Sequence, residues 1–179
     1  MNPSRQNRIH ACVTAFQAAS DALVSSLEQL SDEAAIRTPP DGGWNPAQIG
    51  WHVAATSELL AGMLTGEIPS AEPAPAGFSE NPGIFEAVPA KMETFPVLQP
   101  PASAERAPSI AKLHASADAT VKAIEALEVE RASGHVVKLP FGLLSLYQLC
   151  EFIGAHVARH QAQMDRAIAA TRHEQKAGS

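Results

Sequence analysis

The sequence predicts an all-α fold, a four-helix bundle, on three observations. Four segments carry apolar residues at three- and four-residue spacing, no segment alternates convincingly as a strand, and two of the four begin with capping-box signatures. At 179 residues the chain suits one domain over residues 1–179. Hydrophobic residues make up 45% and charged residues 18%, enough apolar material for a core and too little charge for a disordered chain.

In the first helix, expected from about Ser4 to Ala35, Ile9, Val13, Phe16, Leu23, Leu27 and Leu30 form the stripe and Ser20 fills one step. Pro39 and Pro40, followed by Gly42 and Gly43, stop it. The second helix starts at Asn45, an N-cap, with Pro46 at the first helical position and Gln48 where a capping partner reaches back. That register puts His52 on the apolar face with Ile49, Val53 and Leu60. Residues 66–108 hold most of the prolines and form a long connection, either a lid over a site or a passive crossover. Phe78, Ile84, Phe85, Val88, Met92, Phe95, Val97 and Leu98 predict that part of it packs down. The third helix is expected from Ser109 to about Arg131. Leu139-Pro140-Phe141-Gly142 then makes a turn, and Ser145 with Gln148 starts a fourth helix running to about Thr171. Residues 172–179 read as a frayed polar tail.

The fourth helix carries His156 and His160, which lie one above the other on one face with Leu149, Phe152, Gln163 and Ala167. In a bundle, His52 can face this pair. Three imidazoles with open positions beside them are a recurrent catalytic metal arrangement, suited to zinc, nickel or iron, whereas buried hydrogen-bonded histidines are the plainer alternative. The pair brackets Val157-Ala158-Arg159, so no glutamate stands between the ligands as a general base and a peptidase is disfavoured. Catalytic residues beyond the metal set are not legible. Gln163 either supports a ligand or packs as a helix amide, and Arg159 reads as a salt-bridge partner or a contact for an anionic substrate. Trp44 and Trp51 read as packing residues, and His10, His114, His135 and His173 as non-ligands.

The net charge of -6 and pI near 5.6 argue against nucleic-acid binding. No signal-peptide core and no apolar run of about 18 residues are visible, which predicts a soluble, cytoplasmic protein without a membrane partner. Cys12 and Cys150 fall in different predicted helices and read as free buried thiols of a reducing compartment.

Trp44-Asn45-Pro46-Ala47-Gln48-Ile49-Gly50-Trp51-His52 resembles the start of the second helix in the DinB-like superfamily, the four-helix-bundle metalloenzymes that include mycothiol- and bacillithiol-dependent proteins. Pro140 to Tyr147, leading into His156 and His160 with Arg159 and Gln163 beside them, resembles that family's fourth helix and histidine pair. The resemblance covers essentially the whole chain. It implies an up-down-down-up bundle, a divalent metal ion held by His52, His156 and His160, and a homodimer. It also implies a metal-dependent enzyme acting on a small-molecule substrate, with transfer of a low-molecular-weight thiol as the leading reaction. A metal-dependent hydrolase or a non-catalytic metal-binding, stress-response protein are the alternatives.

Overall fold

The structure is a computed structural model that describes residues 3–40, 42–88 and 94–177, with side chains described from Gln6 to Thr171 apart from Ala87 within those spans. It is mostly helical. The four long helices are α1 (Pro3–Glu28), α3 (Pro46–Thr65), α4 (Arg106–Glu125) and α6 (Leu146–Ala177). Two short helices, α2 (Asp32–Ala35) and α5 (Val129–Gly134), follow α1 and α4.

The long helices pack in a ring in which α1 touches α4 and α6, and α3 touches the same two. Their buried stripes meet in one core. It is built from Phe16, Leu23 and Leu27 of α1, Ile49, Val53 and Leu64 of α3, Leu113 and Ile124 of α4, and Leu149, Ile153 and Met164 of α6. Each such side chain taken out of water contributes about 1.5–3 kcal/mol, which is why the apolar stripes decide how the helices face one another. Gly50 lets three helices close up, since a Cβ there would lie 3.1 Å from Leu27 and 3.3 Å from Leu113.

Side-chain contacts give the sense of each pair. Arg8 meets Glu151 and Gln161 meets Ser26, so α1 and α6 advance together. Ser109 bonds the Ala47 carbonyl and Thr120 the Ser57 carbonyl, so α3 and α4 also advance together.

Helix boundaries differ from the sequence expectation where a cap intervenes. The first helix ends at Glu28, and Ser31 restarts the chain by accepting from the Ala34 amide, making α2 a separate turn. α4 begins at Arg106, three residues before Ser109, with Pro108 tolerated in the first turn, where proline's missing N–H has no helical partner to lose. It stops at Glu125, and residues up to Arg131 belong to a turn and to α5. α6 extends past Thr171 to Ala177, so helix replaces most of the expected tail; residues 178–179 lie outside the described set.

The expectation of no strand is corrected. β1 (Ala71–Pro73), β2 (His135–Leu139) and β3 (Gly142–Ser145) form a three-stranded antiparallel sheet in the order β1-β2-β3. The Leu139-Pro140-Phe141-Gly142 turn is the β2–β3 hairpin, and Ala71 pairs with Val137, which ties the long connection to the bundle's end.

The connection packs down in part, as its apolar residues predict. Ile84 and Leu98 are buried, and Phe78, Phe85 and Val88 half-buried, while Phe95 and Val97 stay exposed; Met92 lies outside the described residues. Polar contacts pin it at Glu80, which accepts from Arg8 at 2.8 Å and from the Ser145 hydroxyl. Next to it, the Asn81 carbonyl accepts from Gln148 at 2.8 Å. The start of α6 and the connection are thereby one polar cluster.

Candidate metal centre

His52 reaches the core because α3 starts where its cap dictates. Asn45 accepts from the Gln48 amide at 2.9 Å, and Gln48 returns a bond to the Asn45 amide at 3.1 Å, closing the capping box. The second box repeats this at α6, where the Ser145 hydroxyl accepts from the Gln148 amide at 3.1 Å. Both helices that carry the candidate ligands therefore begin at a fixed residue.

His52, His156 and His160 converge. One ligand atom from each lies within 4.8 Å of the other two, with His52 buried and the other two partly exposed. Ring centroids are 5.4 Å apart for His52 and His156, 4.8 Å for His52 and His160, and 4.4 Å for His156 and His160.

Two of the three rings have their tautomer set by an oxygen. His52 Nδ1 lies 2.9 Å from the Leu98 carbonyl, which can only accept, so Nδ1 carries the proton and Nε2 keeps its lone pair. His160 Nδ1 donates to the Gln163 side-chain oxygen at 2.8 Å with the same result. Gln163 thus supports an imidazole, one of the two roles its place on the ligand face allowed.

All three rings are held neutral. Loss of hydration lowers the His52 pKa, partly opposed by the Leu98 bond. The same cause, with the neighbouring His160, His52 and Arg159, puts His156 well below the ordinary imidazole value. For His160, burial first and then His52 bring it to about 4, although the Gln163 bond pulls the other way. Neutral imidazole is the form that binds a metal ion.

Aromatic rings wall the cluster. Trp44 sits 4.7 Å from His52 and 6.4 Å from His160, so it borders the site, and its expected role as a packing residue is incomplete. Trp51 does pack, with Lys112 over its ring at 6.0 Å. Phe152 lies 5.9 Å from His156, and Phe85 and Phe141 pack on Phe152 at 6.1 and 5.1 Å.

The other histidines stand apart from this group. His10 and His114 are exposed, and His135 is half-buried as the first residue of β2. The side chain of His173 lies outside the described set. Cys12 and Cys150 are free and buried, and burial pushes the Cys12 thiol up to about 11.

Sequence reasoning missed two members of the site. The Leu98 carbonyl is backbone and carries no side-chain signature. Trp44 had a signal in its position just before the α3 cap.

The family model of the DinB superfamily matches residues 15–164, a span that takes in all three histidines and both capping boxes. The chain belongs to the DinB superfamily. No curated protein matches the sequence. Superfamily membership and the histidine cluster are together compatible with metal binding. The donor set itself fits a divalent ion: three neutral nitrogens, two with their protons turned onto oxygen acceptors in the manner of metal-ligating histidines.

Proposed function

We propose that this DinB-superfamily protein is a metal-dependent enzyme in which His52, His156 and His160 hold one divalent ion, zinc, nickel or iron. The observation that carries the reading is the convergence of three neutral imidazoles, two of them with Nε2 left free by a hydrogen bond at Nδ1. When bound, such an ion acts as a Lewis acid that favours the anionic form of a coordinated water or thiol near neutral pH.

The chain's own residues orient and enclose. The Leu98 carbonyl and Gln163 fix two rings, while Trp44 and Phe152 stand against the flanks of the cluster. Val157-Ala158-Arg159 between the histidines supplies no carboxylate to take a proton from water, which favours a nucleophile brought by a second molecule. The reaction we favour is transfer of a low-molecular-weight thiol. Its sulfur displaces a leaving group from an electrophilic small molecule, and the thiol proton departs with that group.

We further infer an up-down-down-up helix order, supported by the matched senses of α1 with α6 and of α3 with α4. A homodimer and a cytosolic location complete the reading, the latter supported by two free thiols. No helix among the described residues is long and apolar enough to cross a membrane.

The test is to incubate metal-loaded protein with a panel of cellular thiols and a chromogenic electrophile, beside metal-free protein and His160→Ala. Metal-dependent turnover with one thiol supports the transferase. Turnover without thiol moves the assignment to a hydrolase, and no turnover in either panel moves it to a metal-binding protein without catalysis.

A further inference from the structure

Four large hydrophobic side chains stay exposed among the described residues: Ile36, Phe95, Val97 and Leu143. Single exposed apolar residues are ordinary, but each of these four connects to a residue beside the histidines. Phe95 precedes and Val97 lies within the 3-10 turn Pro96–Leu98, whose last carbonyl holds His52. Ile36 offers its carbonyl to the Asn45 side chain at 3.2 Å, next to Trp44, and Trp44 borders His52 and His160. Leu143 follows two residues after Phe141, which packs on Phe152 beside His156. Each of these residues is thus joined, along the chain or through one backbone hydrogen bond, to a group that touches the histidine cluster. The half-buried rings of Phe85 and Phe141 lead toward His156 through Phe152.

The charges around the cluster are one-sided. The three ligand candidates are imidazoles, which ligate as neutral donors, their hydrogen-bond supporters are a carbonyl and a carboxamide, and none of these groups is a carboxylate. Glu80 and Glu151 are paired with Arg8, Glu58 with Lys112 and Asp32 with Arg106. The charged residue between the two α6 histidines is a cation, Arg159. Among the described residues no carboxylate joins this donor set, so the set itself takes no charge from a dication held here, although the chain as a whole is acidic at -6.

We infer that this centre takes a small amphipathic anion: a thiolate or carboxylate end drawn to the ion held by His52, His156 and His160, and an aromatic or branched aliphatic body laid against Phe85, Phe141 and Phe152. The inference rests on the metal reading and names the kind of molecule that site selects. The anionic end is chosen by positive charge that the donor set leaves uncompensated in a partly dehydrated setting, where charge counts for more than in water. The apolar body is chosen by area removed from water on the aromatic flank. A neutral molecule loses the first contribution and a short anion the second.

The experiment is calorimetric titration of zinc-loaded protein, with zinc content measured on the same sample, using 3-phenylpropionate, acetate and the neutral 3-phenylpropanamide. The phenyl acid is expected to bind about tenfold or more tighter than acetate and than the amide. Phe85→Ala and Phe141→Ala should narrow its advantage over acetate to about threefold while zinc content stays at one per chain. Circular dichroism checks that the variants keep their helix content, and the wild-type ranking stands without them. Zinc held at one per chain, with acid and amide equal or phenyl acid and acetate equal, overturns this inference alone. Failure to hold zinc overturns the metal reading and this one with it. A Phe85→Ala/Phe141→Ala variant that sediments as a different oligomer yet keeps the wild-type ranking assigns the apolar face to a second copy of the chain, which also overturns it.

Discussion

His52 and His160 are oriented by the same device, an Nδ1–H donated to an oxygen, but the acceptors come from opposite distances. For His160 the acceptor is Gln163, one turn further along the same helix. For His52 it is the carbonyl of Leu98, 46 residues away in the long connection. The first support is intrinsic to α6 and exists wherever that helix forms. The second exists only when the connection is docked, which depends on the burial of Ile84 and Leu98 and on the Glu80 and Asn81 contacts with the start of α6. The connection is therefore part of the site, and disturbing it should reach the site through His52.

The largest expected effect ignores this difference and removes a ligand. His156→Ala should lower metal affinity by more than about 100-fold, beyond the tenfold to 100-fold loss typical of outer hydrogen-bond partners, as read by competition with a chromogenic chelator. Next comes the local support: Gln163→Leu should cost about 10- to 100-fold in affinity without changing hydrogen exchange in the connection. The remote support follows. Glu80→Ala removes the acceptor of both Arg8 and the Ser145 hydroxyl, so it should speed exchange in residues 80–88 and weaken metal binding by about tenfold. Faster exchange with unchanged affinity would mean that Leu98 does not govern His52.

Acid sharpens the comparison in metal-free protein. An imidazole whose folded pKa lies below its unfolded value binds fewer protons when folded, so the fold is favoured above about 6.5 and loses that advantage as pH falls. For His160 the loss runs from there down through about 4. Denaturant midpoints should therefore drop between pH 7 and pH 4.5, and drop less in His160→Gln. The smallest effect is at the α3 cap, where Asn45→Ala should cost about 1 kcal/mol of stability by urea melting.

The same contrast between near and far explains what the sequence could reveal. Features written in neighbouring side chains were legible: Asn45 with Gln48, Ser145 with Gln148, the four-residue histidine spacing, and Gln163 on the ligand face. The two caps locked the helical phase, so the meeting of His52 with the α6 pair followed from the apolar stripes. Features made by distant backbone were not. The Leu98 carbonyl is invisible to residue identity, and β1 is only three residues long, contains Pro73, and pairs with a strand more than 60 positions away. β2 and β3 turn through Pro140-Phe141, which lacks the Asn-Gly or Asp-Gly signal of a two-residue hairpin. Helix ends moved by several residues where Ser31 capped a new turn and where α4 took Pro108 into its first turn.

The central claim is that three imidazoles hold one ion, and X-ray absorption with elemental analysis on protein purified without chelator tests it most directly. The account predicts about one divalent metal per chain with three imidazole nitrogens at about 2.0–2.1 Å if the metal is zinc, and its loss in His52→Ala/His156→Ala/His160→Ala. Equal metal content in wild type and the triple variant would contradict it.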